Sequence, residues 1–122
     1  MNRIRLYEAL GRTYPVRVCM KERYANERVV LTLVSANLAK EGQPVARASI
    51  NMPELACPAG EVWIKSYSEN TGMREWLIKE GIIERESEAV ATLAFGNVVS
   101  RHKLIQKKVT GPMDTCSSHK EL

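Results

Sequence analysis

The sequence predicts an α+β domain: a mainly antiparallel sheet of about five strands, one short helix packed on it, and a disordered polar C-terminal tail. Three observations predict this. Apolar and polar residues alternate with period two in several short stretches, as in Val16-Arg17-Val18-Cys19-Met20 and Val62-Trp63-Ile64-Lys65, the pattern of half-buried strands. Only Met73, Trp76 and Leu77 stand at i, i+3 and i+4 in a segment with a helical stop, which marks one apolar helix face. From Lys107 onward the chain is polar and without periodicity, too poor in apolar groups to fold by itself. A length of 122 residues suits one domain, placed at 1–106, with a flexible tail at 107–122.

Taken in order, Met1 to Thr13 fits either a short strand through Ile4 and Leu6 or one helical turn before Gly11. Tyr14-Pro15 blocks a helix from continuing, because proline crowds the residue before it. A strand begins at Val16. After a turn at Tyr24-Ala25-Asn26-Glu27, the run Arg28 to Ser35 is apolar on both faces, as in the centre of a covered sheet. Asn37 to Pro44 reads as a loop. Val45 to Met52 is a third strand, with Ala46, Ala48, Ile50 and Met52 inward and Arg47, Ser49 and Asn51 outward.

Pro53 to Gly60 is an irregular link. The strand Val62 to Tyr67 then leads into Ser68-Glu69-Asn70-Thr71, whose side-chain oxygens suit the free amides of a helix start. Gly81 is expected in the left-handed conformation that ends a helix, folding Ile82 back on Leu77. Glu84 to Glu88 is a charged connector. Ala89 to Phe95 and Val98 to Gln106 are strand-like, and Gly96-Asn97 between them fits either a tight hairpin turn or a bulge in one long strand.

Composition narrows the function classes. The chain is 44% apolar and 26% charged, with a net charge of +4, an ordinary globular makeup with a mild bias toward acidic partners. No run approaches the 18 apolar residues that a membrane span needs, and no signal peptide is expected at the N-terminus. Cys19, Cys57 and Cys116 are odd in number and unpatterned in spacing, which argues against a disulfide scaffold and for a reducing cytoplasm.

Tyr24-Ala25-Asn26, Pro44-Val45-Ala46, Ala48-Ser49-Ile50-Asn51-Met52-Pro53 and Trp63-Ile64-Lys65-Ser66-Tyr67-Ser68-Glu69-Asn70 occur in one order, followed by Gly72-Met73, Leu77 and Gly81-Ile82-Ile83. In this the chain resembles a bacterial domain-of-unknown-function family of small proteins carried by phages and conjugative elements. The resemblance spans roughly Val16 to Ile105 and is best defined at Tyr-Ser-Glu-Asn-x-Gly. It implies a mobile-element setting and a fold, and no catalytic residues.

Candidate chemistry is sparse. Glu69 and Asn70, with Tyr67 before them, could meet a partner, although capping of the helix explains the pair without any ligand. Cys116-x-x-His119 has metal-like spacing, and His102 with Cys19 or Cys57 would have to complete such a site; structural zinc brings two close ligand pairs, and only one is present. Cys19 faces away from Val16, Val18 and Met20. Arg101, Lys103, Lys107 and Lys108 form one basic cluster, and Arg3, Arg5, Arg12, Arg17, Lys21 and Arg23 another. The two would merge into a phosphate-binding face if the last strand lay beside the first. No phosphate loop, metalloprotease run or nucleophile elbow occurs.

The expected function is therefore a small, cytoplasmic, non-enzymatic binding protein of a phage or mobile element. It needs no cofactor and acts through protein contact, an inhibitor of a host defence nuclease being one concrete version. The alternative is a nucleic-acid-binding accessory module using the basic clusters. The expected partner residues are Tyr67, Glu69, Asn70, Arg101, Lys103, Lys107 and Lys108. Oligomeric state is left open.

Overall fold

A computed structural model describes residues 3–105 of the chain. In order they form strands β1 (Arg5–Ala9), β2 (Arg12–Cys19) and β3 (Thr32–Ser35), a 3-10 turn (Leu38–Lys40), β4 (Pro44–Arg47) and β5 (Glu61–Ile64). A second 3-10 turn (Ser68–Asn70), helix α1 (Met73–Lys79), β6 (Ile83–Thr92) and β7 (Val98–Leu104) follow. Every named strand pair is antiparallel. The class is α+β. The arrangement corrects the single sheet of about five strands: seven strands make two sheets, ordered β1-β2-β3-β4 and β5-β7-β6. The expected disordered tail and the basic pair Lys107-Lys108 lie outside the described residues.

Two sheets arise because the expected strand Val45 to Met52 changes partners part-way. Arg47 still pairs with Thr32, and Ala48 N–H donates to Leu31 O at 2.8 Å. Ile50 N–H instead donates to Trp63 O at 3.0 Å, and Lys65 N–H returns to Ala48 O at 2.8 Å. Residues 48–50 thus carry the ladder from one sheet to the other. Ser49, expected outward, is 2% exposed. Its hydroxyl accepts the Leu31 N–H at 2.9 Å and lies 2.8 Å from Tyr24 Oη.

The same junction shortens β3. Val29 bridges only Arg23, and Val30 N–H donates to Glu22 O, so regular pairing starts at Thr32 and not at Arg28. All four β3 residues are buried, as the run apolar on both faces requires. At the N-terminal end the strand reading holds over the helical one: Ala9 pairs Arg12 across a two-residue turn. Leu10 and Gly11 both have positive φ, 53° and 75°, the geometry of a hairpin whose twist matches its strands. Glu84 to Glu88 is not a connector but part of β6. Its exposed edge position lets charged residues sit in a strand. Gly96 N–H donates to Leu93 O and Leu93 N–H to Asn97 O, so Gly96-Asn97 closes a hairpin.

One core joins both sheets to the helix. Leu31, Leu33, Ile64, Met73 and Leu77 are all fully buried in it. Trp76 is only half-buried. It meets Tyr7 edge-on, with ring centroids 5.2 Å apart, and its Nε1–H donates to Leu6 O at 2.9 Å. Helix α1 ends as expected: Gly81 has φ 76°, Gly81 N–H donates to Ile78 O, and Ile82 N–H to Leu77 O. These two bonds are the paired closure of a Schellman end.

Candidate binding cleft

The turn between β5 and α1 does something other than cap the helix. Gly72, with φ 88°, holds the N-cap position, and no side chain caps from there. The first-turn amide of Arg74 is taken instead by Ser66 Oγ at 2.9 Å. Glu69 and Asn70 are therefore not the caps that their residue types promise. Glu69 is exposed and pairs with Lys65 Nζ at 2.6 Å. That contact holds its carboxyl below the usual range. Tyr67 lies under the same Lys65, whose Nζ is 5.4 Å from the ring centroid.

Asn70 turns inward and is 1% exposed. Its Nδ2 donates to Arg47 O at 2.6 Å and to Lys65 O at 3.1 Å, lacing the end of β4 to the end of β5. Two carbonyl acceptors fix which way round the amide sits, since a flipped group would set oxygen against oxygen. Asn70 Oδ1 is left buried and without a hydrogen-bond partner. A buried polar atom in that condition costs about 1–3 kcal/mol, so such atoms call for a reason.

Tyr7 supplies a second. It is 2% exposed and its hydroxyl has no partner. Burial, then the charges of Glu69 and Tyr14, push its pKa up, so the group is a neutral phenol. Thr32 Oγ1 is in the same state. Arg5 Nε is also buried without a well-aligned acceptor, but Glu80 Oε1 lies 3.2 Å from it.

Two of the three uncompensated oxygens belong to one place, and the third lies next to it. Tyr7 and Asn70 line a cleft of about 440 Å³, within the size range of ligand pockets. The β1–β2 hairpin forms one wall with Ala9, Thr13 and Tyr14, and Asn37, Lys40, Gln43 and Val45 form the other. A neighbouring cavity of about 330 Å³ is lined by Thr32 and Arg47, and shares β4, Glu69 and Asn70 with the cleft.

Of the expected partner residues, the structure brings Glu69 and Asn70 to this cleft and leaves Tyr67 under Lys65. Arg101 and Lys103 stand elsewhere, on β7. Arg101 is bound by Glu61 Oε1 at 2.5 Å, donates to Ala56 O, and lies over the Trp63 ring. Lys103 is 4.0 Å from Glu88. The condition for merging the two basic clusters is not met. β7 lies between β5 and β6, whereas β1 borders β2 in the other sheet.

Among the described residues no three potential metal ligands come together; Cys116 and His119 lie outside them. His102 is fully buried. Its Nε2 accepts from Arg74 Nε at 3.2 Å and contacts Ser100 Oγ at 2.8 Å, and its Nδ1 is 2.9 Å from Glu84 O. An acceptor Nε2 places the proton on Nδ1, facing that carbonyl. Cys19, placed away from Val16, Val18 and Met20 by the alternation, is nonetheless buried, 9% exposed, and disulfide-bonded. Cys57 is a free cysteine, and burial pushes its thiol pKa up.

Sequence reasoning missed Tyr7, Tyr14 and Lys40. The first two fall in segments read for strand or helix boundaries, and only the pairing of β1 with β2 faces them toward Asn70. No family model, curated protein or solved structure matches the chain. No helix among the described residues is long and apolar enough to cross a membrane.

Proposed function

We propose that the chain is a non-catalytic binding protein that docks a protein partner over the cleft between the β1–β2 hairpin and the Leu38–Lys40 turn. The observation that carries this reading is the pair of bare leucines at the cleft. Leu10, which lines it, is 85% exposed. Leu38, between the lining residues Asn37 and Lys40, is 91% exposed. A small ligand in the cleft would leave these side chains in water, whereas a protein surface laid across it covers both. The resemblance of the 16–105 segment to a family of mobile-element proteins makes a host protein, such as a defence nuclease, the partner to look for. The nucleic-acid alternative rests on fewer free cations than the sequence offered, because Arg101 is committed to Glu61 and the two clusters lie on different sheets.

The test is capture of a partner by the wild-type chain and by Gln43→Trp, which blocks the cleft from an exposed rim position. A partner held by the wild type and lost by Gln43→Trp is the expected result. Equal recovery by both sinks the cleft as the docking site. Binding to DNA that falls steeply with added salt would favour the alternative instead.

A further inference from the structure

Resting on that docking reading, we infer that the group the cleft receives is a neutral primary carboxamide, the side chain of an Asn or Gln on the partner. The cleft's buried chemistry selects for it by elimination. Asn70 offers only an acceptor, because both its N–H groups are spent on Arg47 O and Lys65 O. A carboxylate brought to Asn70 Oδ1 would meet oxygen with oxygen. A cationic side chain would find the one carboxylate of the cleft, Glu69, already bound by Lys65 at 2.6 Å. It would also meet Lys40 on the wall.

What remains is an uncharged group with an N–H to give Asn70 Oδ1 and a carbonyl to take the Tyr7 hydroxyl proton. Tyr7 is suited to that role, being a neutral phenol whose Oη has no other partner. A carboxamide carries both functions on one flat end. Ala9, Pro15, Pro44 and Ala46 supply the small apolar surroundings for its faces. Both oxygens are buried, so an entering group has to displace part of the cleft lining to reach them.

Three probes of one size and different charge test this: propionamide, propionate and propylammonium, each titrated into the full chain and followed by amide NMR. Propionamide is expected to saturate shifts at Tyr7, Tyr14 and the Asn70 side-chain amide, and the two ions to bind at least about tenfold more weakly, the penalty of one mispaired buried polar contact. Equal response to all three, a stronger ion, or no response at any of them overturns the inference.

Tyr7→Phe gives the second readout, since it removes only the hydroxyl and keeps the ring against Trp76. Propionamide affinity should fall about five- to tenfold, while the melting temperature stays level or rises because an unpaired buried hydroxyl is gone. A lower melting temperature would mean that the hydroxyl holds the fold together, and would overturn the assignment. Loss of a partner on Gln43→Trp without any carboxamide preference removes this inference and leaves the docking reading standing. A carboxamide preference with no partner lost removes the docking reading and, with it, the partner as the source of the carboxamide.

Discussion

Helix α1 is finished at one end by its own neighbours and started at the other by residues from across the fold. At Glu80-Gly81-Ile82 the closing bonds run back to Leu77 and Ile78, within a single turn. At Asn70-Thr71-Gly72 the anchoring contacts come from Ser66, Arg47 and, through Arg74, His102. The bonds that close the helix are local, and the distant contacts of this end, Ile105 N–H to Ile82 O and Arg5 to Glu80, are added outside them. The starting end leaves a buried oxygen unpaired and sets two residues, Ser68 and Gly72, at positive φ. Strain and unmet hydrogen bonds concentrate where a fold keeps something back for binding. The cleft lies at this end.

The largest expected effect breaks the starting end. Asn70→Ala removes the side-chain amide that donates to Arg47 O and Lys65 O and uncouples β4 from the turn after β5. It should cost about 2–4 kcal/mol, two hydrogen bonds with buried acceptors left behind. Urea unfolding measures it. A loss under about 0.5 kcal/mol would mean that the lacing of β4 to β5 is incidental.

Gly81→Ala probes the closing end. Its φ of 76° is a conformation that costs a residue with a Cβ about 1–2 kcal/mol. Nothing lies within 4 Å of where that Cβ would stand, so the cost is backbone strain alone. Thermal melting should show destabilisation, although alanine is the better helix former. A more stable variant would contradict the left-handed closure.

This contrast is also the measure of what the sequence reveals. Gly81 with Ile82 was legible because its partners are its neighbours in sequence, and the Val62–Ile64 alternation because a strand's faces are set by period two alone. Asn70 was legible as important and misread in role: Ser-Glu-Asn-Thr is capping chemistry locally, and only the ladder handover at residues 48–50 puts Arg47 O within its reach. The β1–β2 turn was hidden because leucine is an unusual residue at positive φ. The charges of Glu84 to Glu88 concealed a strand whose side chains face water.

Ser66→Ala sharpens the comparison on a smaller scale. Ser66 Oγ takes the Arg74 amide at 2.9 Å, standing in for the missing N-cap side chain. Its removal should cost about 1 kcal/mol, as for a lost cap. Hydrogen exchange should quicken at Met73 and Arg74 before it changes at Ile82. Faster exchange at Ile82 first would show that the two ends are not independently held.

The last effect is absent at neutral pH and appears only on acidification. His102 is buried, and burial is the main reason its pKa is lowered from 6.5; the Arg74 guanidinium at 3.2 Å adds to this. Contacts to the carbonyls of Glu84 and Glu86 and the charge of Glu88 oppose the shift without cancelling it. The unfolded chain therefore takes up the proton at a higher pH than the folded one. Stability is complete above about 6.5, the unfolded value, and declines as pH falls from there toward the folded value. Protonating Nε2 removes the acceptor for Arg74 and sets two cations together, so the starting half of α1 should loosen first. Urea midpoints at pH 7, 6 and 5, for the wild type and for His102→Gln, separate this from general acid effects. The wild type should lose stability across that range and the variant should not. Parallel slopes would assign the loss to carboxylates elsewhere and free His102 from any part in it.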